Sequence, residues 1–231
     1  MIDLFIFVLT NRSQFIKVKY TGMQNYFEKR FKLENYHILG IDEAGRGNLA
    51  GPMVVAGCIL FINELDENTI KQINDSKLLT KSKRKELFAI ITKHSIYDLE
   101  VIDVKTINEL GPKKASILGM QQVIKKIEKD ADFIIVDFEH PTSTKRLIAF
   151  AHADAISLNV AASSILAKYY KDYLMELYVK SHPQYDVYDF IHNAGYGTKK
   201  HLAVLKEYGK ILDFHRLNYA PIKAITKINS N

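Results

Sequence analysis

Residues 40–52 read GIDEAGRGNLAGP, and no other segment restricts the fold of this chain as tightly. The stretch before them, 36–42, reads as a strand running into Asp42; the stretch after, 52–61 (PMVVAGCILF), is a second and very apolar strand. Strand, glycine-rich turn and strand therefore follow one another directly. A dinucleotide fingerprint needs Gly-x-Gly-x-x-Gly opening a helix. Here Gly51 arrives one position late and Pro52 leads into a strand, so that reading fails, and no GxxxxGK[ST] phosphate loop occurs. What remains is a loop beside two acids, where Gly45 and Gly47 allow close backbone approach to a ligand. Arg46 between them is suited to pairing with a phosphate or with a nearby acid.

The rest of the chain alternates the same two patterns. Thr80 caps an expected helix through Ser95 that turns Leu87, Phe88, Ile90 and Ile91 inward. Residues 97–104 alternate like a third strand, and Pro112 suits the start of a helix repeating apolar residues over Lys113–Lys129. FIIV at 133–136 is a short buried strand ending at Asp137, and 147–154 reads as another ending at Asp154. A long helix from Asn159 to Ser181 is stopped by Pro183. Strands alternating with helices indicate an α/β sheet flanked by helices, with the first three strands open to an antiparallel order. At 231 residues the chain fits one domain with a buried core. Residues 1–35 mix Asn, Arg, Gln, Lys and Tyr irregularly and read as an N-terminal extension; 36–231 read as the folded domain with its C-terminal helices.

Composition narrows the partners. The net charge of +6 and a pI near 9.1 suit a polyanion, although many soluble proteins are equally basic. A lone cysteine, Cys58, excludes an intramolecular disulfide framework and a Cys-rich zinc site, and lies in an apolar run as a core residue would. Residues 1–10 carry Asp3, lack a basic flank and a cleavage pattern, and are too few to span a bilayer, so a cytoplasmic protein without membrane attachment is expected.

Three strands would each end in carboxylates: Asp42 with Glu43, then Asp137, then Asp154. Strand ends fix such groups while flanking loops admit substrate. Four converging carboxylates repel one another and need cations, and hard oxygen ligands suit Mg²⁺ or Mn²⁺. Two such ions roughly 4 Å apart can serve both the attacking and the leaving oxygen of a phosphoryl displacement. Each Asp taken singly is more often a turn or cap residue, so spacing alone does not decide.

Five blocks resemble ribonuclease HII, the type II ribonuclease H family: GIDEAGRGNLAGP at 40–52, NDSKLLTKSKR at 74–84, VD at 136–137, HADAISLNVAASSILAKYYKD at 152–172, and GYGTKKHL at 195–202 followed by HRLNYAPIK at 215–223. The resemblance implies a ribonuclease H-like fold, a mixed five-stranded sheet flanked by helices with a C-terminal helical portion. It implies that Asp42, Glu43, Asp137 and Asp154 are catalytic and hold two divalent ions. It further implies that Gly45, Arg46 and Gly47 read a ribose 2′-OH and that Tyr196 packs on a sugar at the DNA side of an RNA–DNA junction. The implied substrates are RNA–DNA hybrids and duplex DNA with embedded ribonucleotides, cut 5′ to the ribonucleotide to leave 3′-OH and 5′-phosphate ends by a monomeric enzyme. Lys77 in the DSK block and Lys168 after Asp154 are candidate phosphate contacts.

The chain departs from the family pattern in three places. Phe138 stands where Gly usually follows the third Asp, and is expected to crowd the metal site. His152-Ala153 replaces a Lys-Gly pair, and Lys171 stands where Arg is common. A competing expectation is therefore a hybrid-binding protein with weakened turnover. A junction-cutting nuclease lacks support from the glycine loop. No histidine pair has metal-ligand spacing, Ser163 and Ser164 have no base in view, and Thr198 reads as a helix cap.

Overall fold

Apolar runs punctuated by Pro, Gly and Thr become the elements of the computed structural model, which describes strands Phe5–Leu9 and Phe15–Lys19 and residues 27–74 and 79–229. In chain order these are β1 (Phe5–Leu9), β2 (Phe15–Lys19), α1 (Phe27–Arg30), β3 (Ile38–Ala44), β4 (Met53–Leu60), α2 (Glu67–Asn74), α3 (Lys81–Lys93) and β5 (Ser95–Ile102). They continue with α4 (Val104–Leu110), α5 (Pro112–Ile127), β6 (Phe133–Asp137), β7 (Leu147–Phe150), α6 (Leu158–Ser181), α7 (Phe190–Asn193), α8 (Lys199–Tyr208) and α9 (Ala220–Lys223).

The central sheet has the order β5-β4-β3-β6-β7. As the strand–turn–strand reading requires, β3 pairs antiparallel with β4 and β4 with β5, while β6 and β7 run parallel to β3. β6 follows β3 in the chain only after β4, β5 and four helices, and β7 follows β6 through the short connection 138–146. β1 and β2 form a separate antiparallel pair inside the segment read as an irregular extension.

Alternate residues of β3 and β4 face different helices. Ala44, Val54, Ala56 and Cys58 pack with Leu158, Ala161, Ala162 and Ile165 of α6. Leu39, Ile41, Val55 and Ile59 pack with Met120, Val123 and Ile124 of α5. Complete burial of each Leu or Ile here contributes about 1.5–3 kcal/mol. The approach of α6 is close enough to require glycine: a Cβ on Gly40 would lie 2.3 Å from the Asn159 carbonyl carbon. The Ser163 hydroxyl donates to the Gly40 carbonyl at 2.8 Å, which fixes α6 along β3.

The start of α6 is held from a distance. Ser157 is its N-cap, and the buried Glu28 carboxylate accepts from the Ser157 hydroxyl (2.6 Å) and from the amides of Leu158 (3.0 Å) and Asn159 (3.2 Å). Negative charge there also opposes the positive end of the helix dipole. Phe27 is buried beside Ile38, Ile135 and Val160, so residues before Tyr36 pack into the same core. Among the described residues no helix is long and apolar enough to cross a membrane.

Candidate active site

The parallel register pairs Ile41 with Val136, so the next residues, Asp42 and Asp137, stand at neighbouring positions of adjacent strands. Asp42 is only 6% exposed and turns toward α6; Glu43, the next residue, turns to the opposite face. The Asp42 carboxylate accepts from the Glu43 amide at 2.7 Å. Burial, and then repulsion from Glu43 and Asp137, hold the Asp42 carboxyl well above its ordinary range. Lys168 and the Ser164 hydroxyl oppose that shift, and Lys168 Nζ donates to Ser164 Oγ at 2.5 Å. Lys168 thus faces Ser164 and the acids. Glu43 is also raised, chiefly by burial and by Asp137, with Arg46 working the other way.

Asp137 ends β6 and accepts from the Ala153 amide at 2.7 Å, tying the turn that carries Asp154 to the strand beside it. The expected strand over 147–154 is shorter than its apolar pattern suggested. β7 stops at Phe150, because His152 adopts a left-handed φ of 62°, and Asp154 lies buried in a 3-10 turn, Ala153–Ala155. Phe138 likewise has φ 67°, a conformation that glycine adopts without cost. Its ring does not fill the acidic cluster: Phe138 is 59% exposed, with the Arg46 guanidinium 5.7 Å from the ring centroid.

The glycine loop opens at Gly45 (φ 92°). Arg46 binds Glu139 at 2.5 Å and Glu43 at 3.5 Å. The loop backbone is gripped by Arg216, a fully buried guanidinium that donates to the carbonyls of Arg46 (3.0 Å), Gly51 (3.1 Å) and Pro52 (3.1 Å). Tyr219 donates its hydroxyl to the same Arg46 carbonyl at 2.5 Å.

The loop carrying Tyr196 is stitched to this one. Asn48 donates to the Ala194 carbonyl (2.6 Å) and the Leu49 amide to the Gly195 carbonyl (2.8 Å). Lys171 is buried, donates to the Ala194 carbonyl (3.2 Å) and sits 5.2 Å from the Tyr196 ring centroid. Tyr196 itself is 51% exposed, so one face of its ring is open beside the glycine loop. Behind it, the Ile211 amide donates to His215 Nδ1, the two His Nε2 atoms meet at 3.1 Å, and His201 Nδ1 reaches the Tyr196 carbonyl. One tautomer set satisfies the chain: His215 is protonated on Nε2 and His201 on Nδ1. Burial pushes His215 down to about 3 and also lowers His201, so both are neutral and structural. Thr198 caps α8 through the His201 amide.

Of the candidates, Asp42, Glu43, Asp137, Asp154, Arg46 and the Lys168–Ser164 pair share one end of the sheet, with Tyr196 on the adjoining loop. Lys77 lies outside the described residues. Of the basic residues that follow Lys77 in the 74–84 block, Lys81 donates to the Ile191 carbonyl, Lys83 pairs with Glu86, and Arg84 binds Asp172 at 2.9 Å. Sequence reasoning missed Glu139, Ser164, Arg216 and the role of Lys171. The Arg46 partner of Glu139 and the loop carbonyls bound by Arg216 lie 93 to 170 positions away, whereas Ser164 is one helical turn from Lys168 and showed only as a polar residue in an apolar helix.

The donor set fits divalent cations. Glu43 Oε2 is buried without a hydrogen-bond partner, and the Asp42 and Glu43 carboxyls are raised by burial first and by repulsion second, both of which a cation would offset. Among the described residues no three Asp, Glu, His or Cys side chains are already gathered around one point, so ion binding requires side-chain adjustment.

A fold with this sheet order and helices on both faces is that of the type 2 ribonucleases H. It superimposes on the crystal structure of ribonuclease H2 from Pyrococcus horikoshii with a TM-score of 0.65 at 23% identity, covering 80% of this chain and 95% of that one. The ribonuclease HII family model matches residues 39–222, and the chain belongs to that family. Ribonuclease HII of Ehrlichia canis is 38% identical over 210 residues (90% of this chain, 98% of the relative), and that of Listeria monocytogenes serotype 4b is 35% identical over 209 residues (90% and 77%).

Proposed function

We propose that this protein is a ribonuclease H that hydrolyses the RNA strand of RNA–DNA hybrids and cuts 5′ to single ribonucleotides embedded in duplex DNA, leaving 3′-OH and 5′-phosphate ends. The observation that carries the reading is the buried, mutually repelling Asp42–Glu43–Asp137 group beside an arginine-bearing glycine loop. Asp42, Glu43, Asp137 and Asp154 would hold two divalent ions, Mg²⁺ or Mn²⁺. Bound there, such ions supply Lewis-acid charge and lower the pKa of a water for in-line phosphodiester hydrolysis.

The chain's own residues do the rest. Gly45 and Gly47 present backbone to the ribose, and Arg46, fixed by Glu43 and Glu139, orients the loop that reads the 2′-OH. Tyr196, backed by Lys171 and the histidine pair, packs its open face on the sugar of the DNA side. Lys168, held on Ser164, tempers the negative potential at Asp42.

The direct test offers three substrates: an RNA–DNA hybrid, a DNA duplex with one ribonucleotide, and the same duplex in all-DNA form. Each is incubated with Mg²⁺, Mn²⁺ or EDTA. Cleavage of the first two with either metal, a single cut 5′ to the ribonucleotide, and none of the all-DNA duplex is expected. Binding without any cut would favour a hybrid-binding protein with weakened turnover, and cutting of the all-DNA duplex would favour a different nuclease.

A further inference from the structure

Phe138 combines three properties that packing does not account for. Its side chain is 59% exposed, in a chain that buries most of its large apolar residues. Its backbone lies at φ 67°, a region that disfavours any residue with a Cβ. It also directly follows Asp137, and its ring lies under the Arg46 guanidinium at 5.7 Å. The strain is sustained by the surrounding turn: the Phe138 amide donates to the Phe150 carbonyl at 3.1 Å and the Glu139 amide to the Asp137 carbonyl at 2.8 Å. Arg46 is in turn held by Glu139, itself buried and paired also with Lys113. The result is an exposed cation–aromatic pair, anchored on two sides, at the rim of the acidic cluster. A strained, solvent-facing aromatic next to a catalytic carboxylate points to a ligand contact, since such strain concentrates where a site uses it.

We propose that Phe138 and Arg46 form a stacking face for the substrate strand, packing a sugar or base next to the cut, so that Phe138 is a substrate-binding residue and not an obstruction. This rests on the ribonuclease reading above for the identity of the ligand. Aromatic faces and arginine planes are the surfaces on which nucleic-acid bases and sugars stack, and the contact tolerates any sequence. Arg46 then serves twice, because its charge is drawn to a phosphate while its guanidinium backs one face of the ring and leaves the other to the strand.

The test compares wild type with Phe138→Gly, Phe138→Leu and Phe138→Trp in the full chain. Melting temperature, equilibrium binding in EDTA to a labelled duplex with one ribonucleotide, and KM and kcat in Mg²⁺ are measured. Glycine relieves the positive φ, so Phe138→Gly is expected to melt no lower than wild type while binding roughly tenfold more weakly. KM should rise by the same factor, and kcat should stay within about twofold. Phe138→Leu should lose the same affinity, and Phe138→Trp should retain it. A role in packing alone would move the melting temperature and leave affinity intact. Equal affinity across wild type, Gly and Leu, including no measurable binding by any of them, overturns the proposal. Should the wild type bind but fail to cleave, the ribonuclease reading falls and the affinity series still decides this one.

Discussion

Asp42 carries the clearest signature of function at the scale of a single residue. A carboxyl whose folded value is raised above its unfolded value favours the folded state while protonated. That contribution is present below the ordinary carboxylate range and is lost as pH rises through the raised value. Once ionised, Asp42, buried beside Glu43 and Asp137, therefore weakens the metal-free fold. Asp42→Asn removes the charge at nearly constant shape. It should raise the melting temperature at neutral pH in EDTA by about 2–4 °C for each kcal/mol of repulsion relieved. The gain should shrink as pH falls and the wild-type carboxyl itself takes up a proton. Mg²⁺ should raise the melting temperature of wild type more than that of the variant, because a ligand that binds only the folded state stabilises it. A variant that melts below wild type in EDTA would show that the Asp42 charge is compensated inside the fold.

Secondary-structure elements divide sharply into those legible in the sequence and those not. β3, β4 and the glycine turn followed from one apolar pattern broken by Gly and Pro. Thr80 capping α3, Pro112 opening α5 and Pro183 closing α6 are local signals, and each lies where expected. The end of β7 was not legible, because a non-glycine residue, His152, makes the left-handed turn that a glycine would have announced. The Glu28 cap of α6 joins residues 130 apart, and Arg216 reaches loop carbonyls 164 to 170 positions away. No window of sequence contains both partners. Arg216 is accordingly the strongest test at this scale. Arg216→Met leaves the Gly51 and Pro52 carbonyls without their donor and the Arg46 carbonyl to Tyr219 alone, and should cost about 3 kcal/mol in urea unfolding. Arg216→Lys should recover only part of that, since an ammonium lacks the planar fork. A loss of under about 0.5 kcal/mol for Arg216→Met would mean that the loop is held without it.

Across the whole molecule, the sheet and the C-terminal helices divide the work. The sheet fixes the carboxylates through the register of β3 on β6 and the Asp137–Ala153 bond. Among the described residues the C-terminal portion contributes no carboxylate to that cluster; it supports the glycine loop and the Tyr196 loop through Arg216, Tyr219 and the His201–His215 pair. Chemistry and substrate positioning should therefore be separable. The decisive comparison sets wild type beside Asp42→Asn and Asp137→Asn, recording hybrid cleavage in Mg²⁺ and hybrid affinity in EDTA on the same preparations. Cleavage should fall roughly a hundred- to thousandfold in each variant. Affinity, set mainly by phosphate charge elsewhere on the surface, should stay within about threefold. Cleavage at the wild-type rate in either variant would rule out this carboxylate cluster as the catalytic centre.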